Sequence, residues 1–283
     1  MASDLGTAIA VMSVISSILG LAAGGYLYSS KGQRTMLALS VAVLGMVYFQ
    51  FYAAGQLFWA RLVPLSAAII YTNFAAFFAA LAAGWAWRLP NTPLWRRWFL
   101  SAALALGAVA AITWPLLSIA LRPPPAGDDD VNQPIAMQTS WATCSPAAAA
   151  TLFRAEGIAV SESEMIPLCL TDASGTPTLG LYRGIKLIAQ RYDREVEVLQ
   201  ETLEEMLTKD DWPVLLTVQL PYGIEDRRYA DQWGWIPGMG HTVVALDRLE
   251  DGRVVVGDPS VGVEVWSKAD MRLLWHGGGI RIQ

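Results

Sequence analysis

Two kinds of hydrophobic pattern divide this chain. Over residues 1–122 the apolar positions run together in four long blocks, near 5–28, 36–59, 63–87 and 99–121, with no Lys, Arg, Asp or Glu inside any of them. A helix needs roughly 20 residues to cross the hydrocarbon core of a bilayer, so these blocks predict a four-helix transmembrane bundle. Gln50, Gln56 and Asn73 are the notable polar residues in or near them. Gly20-Leu-Ala-Ala-Gly24 and the stretch 79–84 are built of small residues, which let helices approach closely. Trp59, Trp85, Trp87, Trp95 and Trp98 fall near block ends, where an amphipathic ring suits the membrane interface.

The pattern changes after Arg122-Pro-Pro-Pro-Ala-Gly-Asp-Asp-Asp130. The prolines there stop a helix, and the acids favour water, so 123–132 reads as a linker between residues 1–122 and a domain over 133–283. In that domain, helices are predicted over 144–156, 161–168, 178–192, 201–207 and 268–274. The first starts at Cys144-Ser-Pro with an alanine run behind it, a sequence that suits a helical first turn. The second opens on Ser161-Glu-Ser-Glu164, the signature of a capping box. The third puts Leu181, Ile185 and Ile188 on one face. Strands are predicted over 195–199, 214–220, 241–246, 253–257, 263–266 and 280–282, and Trp275-His-Gly-Gly-Gly279 reads as a loop. Helices first and antiparallel strands later give an α+β class. The stretch 220–240, with Tyr222, Tyr229, Trp233 and Trp235, is long for a connection. It reads as a substrate-covering loop or a membrane-facing surface, or else as an irregular packed excursion.

Composition and charge sharpen this division. Hydrophobic residues make up 54% and charged residues 16%, too apolar for an ordinary soluble protein. Asp4 aside, every acidic residue follows Gly127. The net charge of −5 argues against a nucleic-acid partner. The N-terminus has no basic n-region and its apolar run is long, unlike a cleavable signal peptide. Lys31 and Arg34 lie after the first block and Arg88, Arg96 and Arg97 after the third, against Arg61 after the second and no basic side chain before the first. Basic loops stay in the cytoplasm, so both termini are expected outside it. The chain then reads as a multi-pass protein of a bacterial plasma membrane, with the C-terminal domain periplasmic or extracytoplasmic.

The candidate chemistry sits in the second half. Cys144 at a helix start feels the positive end of the helix dipole, which favours its thiolate. His241, in Gly240-His-Thr-Val-Val244, can act as the base, and Asp258, in Gly257-Asp-Pro259, can orient the imidazole. Gln138, six residues before Cys144, can fold back as an amide donor to an oxyanion. Each has a plainer reading: Cys144 as a buried thiol or half of a disulfide with Cys169, His241 as a strand-end residue, Asp258 as a turn residue, Gln138 as a surface residue. Asp247 competes with Asp258 as partner of the histidine, and His276 is the other histidine. Two cysteines and two histidines show no metal-ligand spacing, no phosphate-cradling glycine loop appears, and thiol chemistry needs no cofactor.

In order and spacing, Gln-x5-Cys, then a histidine opening an apolar strand, then Asp-Pro on the next, the last 150 or so residues resemble the papain-like cysteine peptidases of peptidase family 39. Those enzymes trim double-glycine leaders from bacteriocins and are usually fused to exporters. The resemblance implies a papain-like fold, a peptide or leader-bearing protein substrate cut after small residues such as Gly-Gly, and an export or membrane partner beside the lipid bilayer. Ser145 stands where the family usually has Gly, no transporter ATPase motif follows, and the apolar half precedes the peptidase-like half. Two other readings stay open: a catalytically inactive peptidase-like domain that binds peptides for a membrane partner, and a protein whose working part is the four helices. The absence of charges inside the helices speaks against the last.

Overall fold

The computed structural model describes residues 2–26, 32–224 and 226–283. Two compact units emerge, Met1–Trp59 with Ala67–Ser118, and Ala60–Ser66 with Ile119–Gln283.

In the first unit, α1 (Ala2–Tyr26), α2 (Gly32–Tyr48, continued by a π-helical turn Phe49–Ala53), α5 (Ala75–Trp87) and α6 (Leu94–Leu121) are the long helices, with short α3 (Phe58–Leu62) and α4 (Ala68–Tyr71) between them. Four spans among the described residues are long and apolar enough to cross a membrane: Asp4–Gly25, Gly32–Ala53, Ala68–Trp87 and Leu94–Leu121. The expected end of the first block at Tyr28, and Lys31 of the first loop, lie outside the described residues. The second block is shorter than expected, because Trp59 falls on α3 and its indole N–H donates back to Ala53 O at 2.6 Å. The third is no single rod. Pro64 precedes its start, and the helix is interrupted between Tyr71 and Ala75.

That interruption has a partner in α6. Pro115 lies inside α6, and a proline removes the N–H that would bond the carbonyl four residues earlier. That carbonyl belongs to Ala111, and Asn73 Nδ2 donates to it at 2.8 Å. A freed carbonyl among apolar side chains needs such a donor, which gives the lone amide of this apolar block its partner. The two small-residue stretches also meet. A Cβ built on Gly84 of α5 would lie 2.2 Å from Gly20 O of α1, so these helices touch backbone to backbone.

The second unit is α+β. Its six strands, β1 (Val196–Val198), β2 (Val214–Gln219), β3 (Gly240–Arg248), β4 (Val254–Asp258), β5 (Gly262–Trp266) and β6 (Trp275–Ile282), form one antiparallel sheet ordered β1-β6-β2-β3-β4-β5. Helix α7 (Cys144–Ala155) lies across β2, β3 and β4. Ala147, Ala148, Ala149 and Ala150 are fully buried, and side chains this small let α7 sit close to the strands. A core cluster containing Val214, Leu216, Val243, Val256 and Trp266 takes in Met206 and Met271, from α10 (Leu203–Lys209) and α12 (Lys268–Leu274). Central strands buried on both faces read as continuous apolar runs, as Val214-Leu-Leu and Val243-Val-Ala do.

Two expectations need correction here. Trp275-His-Gly-Gly-Gly279 is strand, not loop, and β6 lies between β1 and β2. Two of its glycines are required by close approach, since a Cβ on Gly278 would lie 2.3 Å from Thr217 Oγ1 and one on Gly279 2.9 Å from Leu199, while Gly277 takes a φ of +90°. The capping box at α8 (Glu162–Leu168) is half-formed. Ser161 Oγ accepts from Glu164 N–H at 3.1 Å, but the Glu164 carboxylate pairs with Arg191 at 2.6 Å instead. The 123–132 stretch is exposed at its acids yet pinned along its backbone. Asp128 N–H donates to the buried Glu162 carboxylate at 2.8 Å, which also receives Thr139 N–H at 2.9 Å. Glu162 thereby straps this stretch to the segment that leads into Cys144.

Two aromatics anchor the 220–240 excursion, most of whose described residues are exposed. It carries α11 (Arg228–Asp231), and its Tyr229 and Trp235 are buried in the core cluster, with Trp233 stacked on Trp266 at 5.7 Å. Tyr222 is exposed.

Candidate active site

Cys144 is the first residue of α7. Thr143 precedes it, with its N–H and hydroxyl both turned back to Ser140 O at 3.1 and 2.9 Å. That local turn ends the incoming loop directly before the first helical residue. Pro146 follows in the first turn, where its missing N–H costs nothing.

The sheet register brings His241 and Asp258 to one face. Val218 on β2 pairs with His241, and Val244 on β3 pairs with Gly257 on β4. One step further, Asp258 comes opposite Val243, which shares its strand face with His241 two residues away. The contact is direct: His241 Nε2 and Asp258 Oδ1 are 2.8 Å apart. A carboxylate accepts, so Nε2 carries the hydrogen and Nδ1 is left toward the thiol. Asp247, the rival partner, is exposed beyond a β-bulge, six residues along β3, or about 20 Å away. His276 is exposed on β6. Both cysteines are free. Cys169 is fully buried against α9 (Thr178–Arg191), where a Cβ on Gly184 would lie 2.3 Å from its sulfur, and burial pushes its thiol far up.

Three groups around Asp258 were not singled out for this site from the sequence. Trp235 Nε1 donates to Oδ2 at 2.8 Å, and Ser260 donates to Oδ1 through its N–H at 2.8 Å and its hydroxyl at 2.6 Å. The Trp235 ring also lies against the imidazole, centroids 4.6 Å apart. Asp258 is completely buried. Burial alone would raise its pKa, but the His241 ring and the Ser260 donors outweigh it and hold the carboxyl below its ordinary value. The Asp-Pro-Ser order is a local signal that could have found Ser260, since short polar side chains fold onto neighbouring turn groups. Trp235 has no such signal, because its contact depends on how the whole excursion packs.

Cys144 and His241 perturb one another. Burial pushes the Cys144 thiol up, while its hydrogen bond to His241, the charge of that ring, and the Ser145 hydroxyl and N–H pull it down, to below the ordinary thiol value. For His241, burial pulls down, and the bonds to Asp258 and Cys144 with the charges of both raise it, to about 9. The pair therefore favours thiolate and imidazolium. Both line a cleft of about 300 Å³, whose walls include Trp141, Thr176, Leu181 and Met239. Gly240 leaves open space beside His241, since an added Cβ there would meet nothing, whereas the space at Gly238 is filled by the Tyr222 ring.

Gln138 N–H donates to Pro259 O at 2.9 Å, tying its segment to the residue after Asp258. Its side-chain oxygen is buried without a partner among the described residues.

No protein-family model matches the sequence, and no curated protein matches it. Among solved structures, the chain is similar to the peptidase domain of Streptococcus ComA, a bi-functional ABC transporter involved in a quorum sensing pathway. That likeness is 22% identical, covers 52% of this chain and 96% of that one, and has a TM-score of 0.40. The peptidase domain of Streptococcus mutans ComA is 20% identical over 53% of this chain and 99% of its own, TM-score 0.37. A double glycine motif protease from an AMS/PCAT transporter, in complex with the leader peptide, is 16% identical over 57% of this chain and 96% of its own, TM-score 0.41.

Proposed function

We propose that residues 133–283 are a papain-like cysteine peptidase domain, joined through 123–132 to a transmembrane bundle over 1–122 that anchors it in the bilayer. One observation carries this reading: a helix-start thiol and a histidine line the same cleft, each favouring the charged form of the other, and Nε2 of that ring is held by a buried carboxylate. A domain that only binds peptides has no use for that proton arrangement.

In this reading the Cys144 thiolate attacks the carbonyl carbon of the scissile peptide. The oxyanion that forms takes the Cys144 backbone N–H and the Gln138 side-chain amide as donors, each worth about 3 kcal/mol of transition-state stabilisation. The imidazolium of His241 gives its Nδ1 proton to the leaving amine, leaving a thioester on Cys144. Water, deprotonated by the now neutral ring, releases the acyl product. Asp258 keeps the ring turned and its Nε2 protonated throughout. The resemblance of the motif residues makes the substrate a peptide or leader-bearing protein cut after small residues such as Gly-Gly, with an export system as the natural partner.

The test is a pH profile of kcat/KM on the full chain in detergent, with a fluorogenic peptide ending in Gly-Gly at the cut. The competent ion pair exists above the lowered thiol pKa and below the raised histidine pKa. Activity should therefore be present at neutral pH and fall on the alkaline side near 9, where the imidazolium loses its proton. A rate that keeps climbing through pH 10, as a free thiol would give, overturns the reading.

The side of the membrane follows from the loop charges, and we place the C-terminal domain outside the cytoplasm. Protease added to intact spheroplasts should digest residues 131–283. Digestion only after lysis would invert the topology and make the substrate cytoplasmic.

A further inference from the structure

Two hydroxyls beneath the nucleophile have no part in the steps above. Ser145 directly follows Cys144 on α7, and Thr242 directly follows His241 on β3. Both are buried, at 7% and 3% exposure, and their oxygens are 2.8 Å apart. Ser145 Oγ also lies 3.9 Å from Cys144 Sγ, within reach of a sulfur acceptor. The residue after the thiol and the residue after the base are thus joined across helix and strand by one buried hydrogen bond.

The direction of that bond follows from counting protons. Each hydroxyl has one hydrogen to give and can accept. Thr217, opposite Thr242 on β2, already donates its own hydrogen to Gly278 O at 3.1 Å. If Ser145 donated to Thr242, the sulfur would lose a donor. If Thr242 donates to Ser145 and Ser145 to the sulfur, both hydrogens are used, and the chain ends on a negative charge. Hydrogen bonds to charged acceptors are the strong ones, and linked bonds polarise each other, so an ionised Cys144 selects the second order.

We propose that Thr242 and Ser145 form a two-hydroxyl relay, Thr242 O–H to Ser145 Oγ and Ser145 O–H to Cys144 Sγ, which supports the thiolate and fixes its sulfur relative to the imidazole. Ser145 touches the reacting atom, and Thr242 is a positioning residue that acts through it. This rests on Cys144 being the nucleophile, and it gives a role to the residue that departs from the resembled family's glycine.

The experiment reads the thiolate itself rather than peptide cleavage. The full chain is alkylated with iodoacetamide across pH 4–10, and the rate at Cys144 is followed by mass spectrometry. Wild-type Cys144 should react with an acid limb well below the roughly 8.5 of a free thiol. Losing a hydrogen bond to a charge, Ser145→Ala should move that limb up by about one pH unit and slow alkylation about tenfold below it. Thr242→Val, nearly isosteric, should give a smaller shift in the same direction, about threefold in rate, and Thr242→Ser should restore the wild-type profile. An unmoved limb in Ser145→Ala overturns the relay and leaves Cys144 as nucleophile. Should Ser145→Ala not fold, an unmoved limb in Thr242→Val overturns it equally. An ordinary free-thiol profile in the wild type defeats the underlying reading instead, so the two failures are distinguishable.

Discussion

Cys144→Ala should abolish peptide cleavage, by a factor on the order of 10⁴ or more, while the protein still inserts and folds. The loss is large because the thiolate is the only atom in the proposed steps that bonds to the substrate, and a catalytic unit without its nucleophile keeps only the rate due to binding and oxyanion donors. Stability should change little. Cys144 is half-buried at the mouth of a cleft, and its removal opens no core cavity. Cys169→Ala is the matched control. That sulfur is fully buried against Gly184, so shortening it should cost about 1–2 kcal/mol of stability and leave cleavage intact. Melting curves and cleavage rates for both variants make the comparison. A Cys144→Ala protein that cleaves, or a Cys169→Ala protein that folds and does not, would reverse the assignment.

His241→Ala should be as inactive as Cys144→Ala, and the double variant no worse than either, because members of one catalytic unit do not add. Asp258→Asn should retain part of the activity, down by roughly 10²–10³-fold, since the orienting group matters less than the base. The surroundings of Asp258 add a second effect. Its two oxygens accept from His241, Trp235 and both donors of Ser260, and an amide would present N–H groups to some of those donors. A buried donor facing a donor costs about 1–3 kcal/mol, so Asp258→Asn should melt lower than wild type, unlike Cys144→Ala. His276→Ala should behave as wild type, given its exposed place on β6. A His276 variant that is dead beside an active His241 variant would remove the triad.

How much of this was legible in the residues depends on the range of the forces involved. Four apolar blocks without charges announce four long helices, because a span is decided by local hydropathy and length. The start of α7 at Cys144, and the strand positions, with β6 read only over its last three residues, follow from turn chemistry and apolar runs in neighbouring residues. Cys144, His241, Asp258 and Gln138 could be named as candidates by residue type and order. That order says nothing of distance. Asp258 rather than Asp247 meets the imidazole because the β3–β4 register puts Asp258 beside it, whereas Asp247 lies six residues further along the strand that carries His241. Register is a property of two strands paired, and neither strand encodes it alone. The glycine run of β6 looked like a loop because the need for Gly278 and Gly279 lies in Thr217 and Leu199, far off in the chain. Asn73 looked like an isolated polar residue until Pro115 freed the carbonyl it bonds. Trp235 joined the site only because the excursion folds its aromatics into the core, placing an indole N–H on the far oxygen of Asp258. Hydropathy, propensity and turn chemistry act over a few residues and can be read in order along the chain. Partners for buried polar groups come from across the fold, and only tertiary packing determines which of them arrive.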